Sequence, residues 1–330
     1  MMNFLRKIKN YISNNAEKNV YFQMFYFFIK YTIATVLGKI LGEERYAKWF
    51  YHLYTGKDLN LENPKYFDEK VWWLKLYNRD PMLVKCSDKN LVAEYVKECG
   101  YEDILIPRLD VLNKVEELDL SKYEDEVVVK CNHNSGGHLF YNPKCPPNKK
   151  KLTYAKKILK FILKRNAYVL SREWNYKDID PKILVEKVIR DKEGQLPTDY
   201  KFMCFDGEPK LLFLDLGVIN PDSSYNHYYP RNIYDMDFNL LPVLETRENA
   251  PYEVAKPENF ERMVEIARKL SKPFPFCRVD LYNVDGKIYF GEITFYHGGG
   301  CNDIQPEEWD LKIGSWIDIN NPKIKKEKTK

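Results

Sequence analysis

An α+β fold is the class this sequence predicts, and three observations predict it. Apolar residues recur at helical spacing through the first hundred positions, short β-branched runs take over from residue 104, and a helix near residue 260 precedes an Asp-Gly hairpin. Helices mixed with antiparallel hairpins, without strict strand-helix alternation, point to α+β architecture. At 330 residues, with 44% hydrophobic and 15% aromatic side chains, the chain buries a substantial core as one compound unit or two domains and is not disordered.

The elements follow in order. Residues 1 to about 58 read as helical, stopping near Gly56. "LENPKYFDEKVWWLKLY" offers a loop at Pro64 and then a helix with Val71, Leu74 and Tyr77 on its apolar side. A third helix is expected with Ser87 as N-cap, Asp88 in its first turn and Gly100 as its stop. "ILIPRLDVL" and "EVVVKCN" read as strands. "KKKLTYAKKILKFILKRNAYVL" reads as one basic amphipathic helix, with Leu152, Ile158, Phe161 and Ile162 inward and the lysines forming either a solvated face or a binding surface. "KILVEKVI" and "DYKFMCFDGEPKLLFLDL" supply further strands, and "ENFERMVEIARKLSK" a helix stopped by Pro273.

Bulk charge excludes little but is informative. With 52 basic and 48 acidic side chains the net charge is only +4, so no nucleic-acid binder is indicated. Seven scattered cysteines without a C-x-x-C pair fit a reducing cytosol and neither zinc nor a disulfide framework. Lys18, just before "NVYFQMFYFFIKYTIATVLGKIL", and Lys30 and Lys39 within it limit every uncharged run to fewer than the roughly 18 to 20 residues of a spanning helix. The expectation is a helix packed on the protein, with peripheral contact to the inner face of a membrane as the alternative. "KIKKEKTK" is a basic tail.

The hairpin "RVDLYNVDGKIYFGEIT" carries the chemistry. A two-residue Asp285-Gly286 loop would pair Asp280 with Gly291 and send Asp280 and Glu292 to opposite faces. A three-residue loop with a left-handed Gly286 would pair Asp280 with Phe290 and bring Arg278, Asp280, Glu292 and Thr294 to one face. Carboxylates so placed need a cation between them, and hard oxygen donors suit Mg2+ with substrate phosphates; an ordinary charged edge is the other reading. Lys130, ending a strand before "CNHNSGGHLF", and Lys201, sharing a strand face with Asp199, are candidates for phosphate; Glu186 and Lys187 are candidates for a base and ribose. His133, His138 and His297 form no triad or zinc spacing and are expected in partly buried hydrogen-bonding roles.

Taken in order, "NPKYFDEKVWWLKLY", "SDKNLVAEYV", "VVVKCNHNSGG", "EWNYKDIDPKILVEKVI", "TDYKFMCFDGEP" and "FCRVDLYNVDGKIYFGEITF" resemble the TupA-like ATP-grasp family of polysaccharide gene clusters, over residues 58 to 316. The resemblance implies an ATP-grasp fold, two α+β lobes enclosing ATP, with a helical N-terminal extension at 1–57. It further implies the start of the core at 58–125, a nucleotide-gripping lobe at 126–190, a catalytic and metal lobe at 191–316 and a basic tail at 317–330. Carried over by residue, Lys130, Ser135, Gly136 and Gly137 would meet phosphates, with Glu186, Lys187 and Val188 at the adenine. Asp199 and Lys201 would line the nucleotide site, with Lys201 on phosphate. Asp280 and Glu292 would hold Mg2+, and Arg278 would stabilise the acyl-phosphate and its tetrahedral adduct. Thr294 stands where many ATP-grasp enzymes have asparagine.

The implied activity is an ATP- and Mg2+-dependent carboxylate-amine ligase of capsule or cell-wall polysaccharide biosynthesis, joining an amine or amino acid to a uronic acid or similar carboxylate. Competing readings are a sugar or polysaccharide kinase, a membrane-associated scaffold without catalysis, and a glycosyltransferase-like protein resting on "DMD" at 235.

Overall fold

In a computed structural model, residues 20–134, 136–219, 226 and 228–326 are described. The chain divides into two compact units, Met1–Leu59 with Leu109–Val185 and Asn60–Arg108 with Glu186–Lys330.

In the first unit, α1 (Val20–Thr55) bends at Gly42 and ends where expected, with the Gly56 N–H donating to His52 O at 2.9 Å. This helix is long and apolar enough, by length and composition, to cross a membrane. Four strands, β1 (Arg108–Leu112), β2 (Val127–Cys131), β3 (Leu139–Tyr141) and β4 (Ile183–Lys187), form a sheet ordered β1-β4-β2-β3. Alternation along β2 sends Val127, Val129 and Cys131 into the core, where they meet Leu159 and Ile162 of α5 (Lys149–Ile162). The single long helix expected from residue 149 breaks instead. Asn166 interrupts it, its side chain accepting from Tyr168 N at 3.0 Å to start the short α6 (Ala167–Ser171).

The second unit is built on five antiparallel strands ordered β10-β9-β5-β6-β7. They are β5 (Asp199–Phe205), β6 (Glu208–Asp215), β7 (Arg231–Tyr234), β9 (Phe276–Val284) and β10 (Lys287–Thr294). Helix α7 (Phe260–Ser271) covers one face, its apolar stripe buried, with Phe260 5.9 Å from Phe202 between ring centres. Helices α2 (Phe67–Tyr77), α3 (Pro81–Ser87), α4 (Val92–Glu98) and α8 (Glu307–Ser315) and a small ribbon of β8 (Leu244–Glu245) and β11 (Ile304–Gln305) complete the unit. Ser87 is not an N-cap: it ends α3, and its hydroxyl donates back to Leu83 O at 2.7 Å. Asp88 instead turns the chain, accepting from Asn90 N at 2.7 Å, before α4 begins at Val92.

Candidate functional site

The sheet face turned away from α7 holds the charge. Tyr200, Phe202 and Cys204 of β5 are buried, with Phe202 and Cys204 against α7, so Asp199 and Lys201 take the other face. Register carries that face across the strands: Lys201 is opposite Asp280, Asp199 opposite Asp215, and Asp215 opposite Arg231. On β10, Glu292 is opposite Asp280 and Thr294 opposite Arg278.

The hairpin reaches this arrangement by an unexpected route. Val284 pairs with Lys287, so the turn has two residues, with φ of 49° at Asp285 and 83° at Gly286, as a type I′ turn requires. That turn alone would oppose Asp280 to Gly291. A bulge between Phe290 and Glu292 shifts the register by one and returns Glu292 to the face of Asp280. Gly291 permits it, because a Cβ there would stand 3.0 Å from the Asp280 carbonyl oxygen. The expected three-residue loop is therefore wrong. The expected common face of Arg278, Asp280, Glu292 and Thr294 is present.

Arg278 grips Asp280 with two parallel bonds, Nε to Oδ1 and Nη2 to Oδ2, both 2.7 Å. Its Nη2 also donates at 3.1 Å to Glu292 Oε1 and to the Thr294 hydroxyl, which in turn donates to Glu292 at 3.1 Å. Lys201 Nζ lies 2.8 Å from Asp199, 3.5 Å from Asp215 and 3.7 Å from Asp280. Asp215 receives Arg231 Nη2 at 2.8 Å, and Arg231 also pairs with Glu245. His297 closes the circle, its Nε2 3.5 Å from Glu245 and its Nδ1 2.9 Å from Arg278 Nη1. Seven side chains thus form one ring: Arg278, Asp280, Lys201, Asp215, Arg231, Glu245 and His297.

Burial sets the electrostatics. It lowers the affinity of Lys201 for its proton, yet Asp199, Asp280 and Asp215 overcome that and push its pKa up to about 12. Burial would raise Glu292, and Lys89, 3.1 Å away, together with Arg278 instead holds it well below the usual carboxylate range. Burial pushes the Asp280 carboxyl up while Arg278 and Lys201 pull the other way.

Lys89, Asp215, Arg231, Glu245 and the positioning of His297 were not anticipated as a set. Their partners are distant in sequence, and the available signal was Asp215 ending a strand that pairs with the strand of Asp199. Glu186 is buried and paired to Arg108 at 3.2 Å. Lys187 donates its backbone N–H to Pro107 O at 3.1 Å, and Val188, like Lys187, is half-buried. Lys130, half-buried, and exposed Gly136 and Gly137 belong to the first unit; both glycines have positive φ, 78° and 73°. Ser135 lies outside the described residues. His133 is buried, within 3.2 Å of Asn132 Oδ1 and 3.1 Å of Arg165 O, whereas His138 is exposed, contrary to expectation.

The donor set fits Mg2+. Asp280 and Glu292 are facing oxygen donors, and the cluster sets Lys89, Lys201, Arg231 and Arg278 against five carboxylates, Asp199, Asp215, Glu245, Asp280 and Glu292. With His297 neutral, one formal negative charge remains for a divalent ion to meet. Among the described residues no group of three or more His, Cys, Asp and Glu side chains is placed to hold a metal ion by itself. Mg2+ needs none, since water and phosphate fill most of its shell.

The chain belongs to the TupA-like ATP-grasp family, whose model matches residues 69–318, and its fold is that of the family. Similar solved structures include D-alanine–D-alanine ligase from Bacillus anthracis complexed with ATP, 20% identical, with 65% of this chain and 56% of that chain covered and a TM-score of 0.35. The enzyme of the same name from Helicobacter pylori is 16% identical over 78% of this chain and 68% of that one, TM-score 0.42. L-amino acid ligase from Bacillus licheniformis is 15% identical over 66% and 44%, TM-score 0.39. The chain thus spans little more than half the length of the B. anthracis ligase. No curated protein matched the sequence.

Proposed function

We propose that this protein is an ATP- and Mg2+-dependent carboxylate-amine ligase that works through an acyl-phosphate. The observation that carries the reading is the single sheet face uniting Lys201, Arg278, Asp280 and Glu292 within the ATP-grasp family. In this reading Asp280 and Glu292 hold Mg2+, which supplies charge neutralisation to the phosphates when bound. Lys201, held charged at neutral pH, takes a phosphate oxygen, and Asp199 and Asp215 fix its ammonium in place. Arg278, fixed by Asp280 and His297, donates to the acyl-phosphate and to the tetrahedral adduct formed when the amine attacks. Lys130, Ser135, Gly136 and Gly137 are assigned to phosphate, and Glu186, Lys187 and Val188 to adenine, on the family's pattern alone. Thr294 is occupied with Arg278 and Glu292 and is assigned to orienting them.

The substrates fit polysaccharide assembly at the cell surface: a carboxylate-bearing sugar or its polymer precursor, with an amine or amino acid as acceptor, acted on in the cytoplasm. Thermal shift with ATP and Mg2+, run beside Glu292→Gln, tests the nucleotide site. Release of free phosphate that needs both a uronic acid and an amine supports the ligase; phosphate transferred to the sugar without an amine overturns it in favour of a kinase.

A further inference from the structure

Helix α1 packs on its own unit along one side. Toward its own unit, Phe27 meets Phe161 of α5 edge to face at 5.0 Å and Arg165 lies 4.5 Å over the Phe27 ring. Ala34, Tyr46 and Ala47 are buried, and the Tyr46 hydroxyl donates to Leu170 O at 2.8 Å. Arg172, turned left-handed at the end of α6, packs against Gly38, pairs with Glu43 at 3.2 Å and covers the Tyr46 ring at 3.9 Å.

The opposite side is open. Phe22, Phe25, Ile29, Ile33, Val36 and Ile40 are all exposed, Ile40 at 72%, and their spacing of three, four, four, three and four residues puts them on one continuous stripe. Phe28, 68% exposed, widens it. From Phe22 to Ile40 the stripe runs about 27 Å at about 1.5 Å per residue. An exposed apolar stripe of this length marks a contact surface.

Charge identifies the occupant. Residues 149–165 carry seven lysines and one arginine with no acidic residue. Lys157 and Lys164, one turn to either side of Phe161, are exposed where α5 meets α1. A second copy of this chain would bring two such basic segments together, whereas an anionic lipid surface satisfies both the stripe and the lysines.

We propose that α1 lies in the interface of an anionic bilayer, its stripe among the acyl chains and the lysines of residues 149–164 on the headgroups. It lies flat, since spanning would strip Phe27, Ala34 and Tyr46 from their packing. This placement is independent of the ligase reading.

The test is sedimentation of the full chain with vesicles of phosphatidylcholine alone and with phosphatidylglycerol added. The expected result is binding to the phosphatidylglycerol vesicles that weakens about tenfold or more in Phe28→Glu/Ile40→Glu and in Lys157→Glu/Lys164→Glu, and that falls with added salt. All four positions are exposed, so unchanged melting temperatures confirm that the variants fold. No binding to phosphatidylglycerol vesicles, or binding the α1 variant does not weaken, overturns the proposal. A concentration-dependent dimer abolished by Phe28→Glu/Ile40→Glu overturns it in favour of a second copy.

Discussion

Arg278 Nη1 stands 2.9 Å from His297 Nδ1, and this distance fixes a proton. A guanidinium only donates, so Nδ1 accepts and the imidazole carries its hydrogen on Nε2, toward Glu245. His297 is therefore neutral, and a proton on Nδ1 would set two donors against each other.

That geometry gives a pH dependence. Burial lowers the pKa of His297, and Arg278 and Arg231 lower it further, while Glu245 opposes them. A depressed folded-state value means the contribution to stability is whole above the ordinary histidine value of about 6.5 and is lost as pH falls through the folded one. Thermal melting from pH 7 to pH 5 should show a loss that His297→Gln lacks.

Asp68 acts in the opposite sense. Burial raises its carboxyl to about 7, although Asn302 donates to it from its backbone N–H at 2.7 Å and its side chain at 2.6 Å. Its stabilising contribution is whole below the unfolded value near 4 and is lost as pH rises through about 7. Asp68→Asn should flatten that loss in melts between pH 4 and pH 8.

Glu292→Gln should retain the fold and lose the Mg2+-dependent rise in melting temperature with ATP. The change removes one ligand charge and leaves a single acceptor oxygen, where the carboxylate gave Lys89 and Arg278 one oxygen each. An undiminished rise would take the metal role from Glu292.

Gly291→Val should destabilise by about 1–3 kcal/mol, since the new side chain crowds Asp280 O. The same variant should weaken nucleotide binding, because Glu292 depends on the bulge for its face. Urea unfolding and thermal shift measure the two effects separately.

Arg231→Met would leave Asp215 and Glu245 without their shared cation in a buried site, a loss of about 3–5 kcal/mol in urea unfolding.

Much of the site was legible where chemistry is local. The Asp-Gly turn, the stop at Gly100 and the apolar stripe of α7 are properties of a few neighbouring residues. The shared face of Arg278, Asp280, Glu292 and Thr294 was reached from the wrong turn length, because an extra residue in the turn and one in the strand shift register equally. What escaped was long-range. Ser87 has the chemistry of an N-cap, but the preceding helix claims it. Lys89, Arg231 and Glu245 reach the site through tertiary pairing that no spacing announces.

The closed circle of seven side chains bears on how this sequence can drift. An open chain of charges can lose its last member with one neighbour affected, but every member of a circle has two, so no position is terminal. Changes inside it are expected to be epistatic: a replacement for Arg231 tolerated alongside neutral residues at 215 and 245 would be harmful beside Asp215 and Glu245. Relatives that have altered this cluster should have altered it at several positions together.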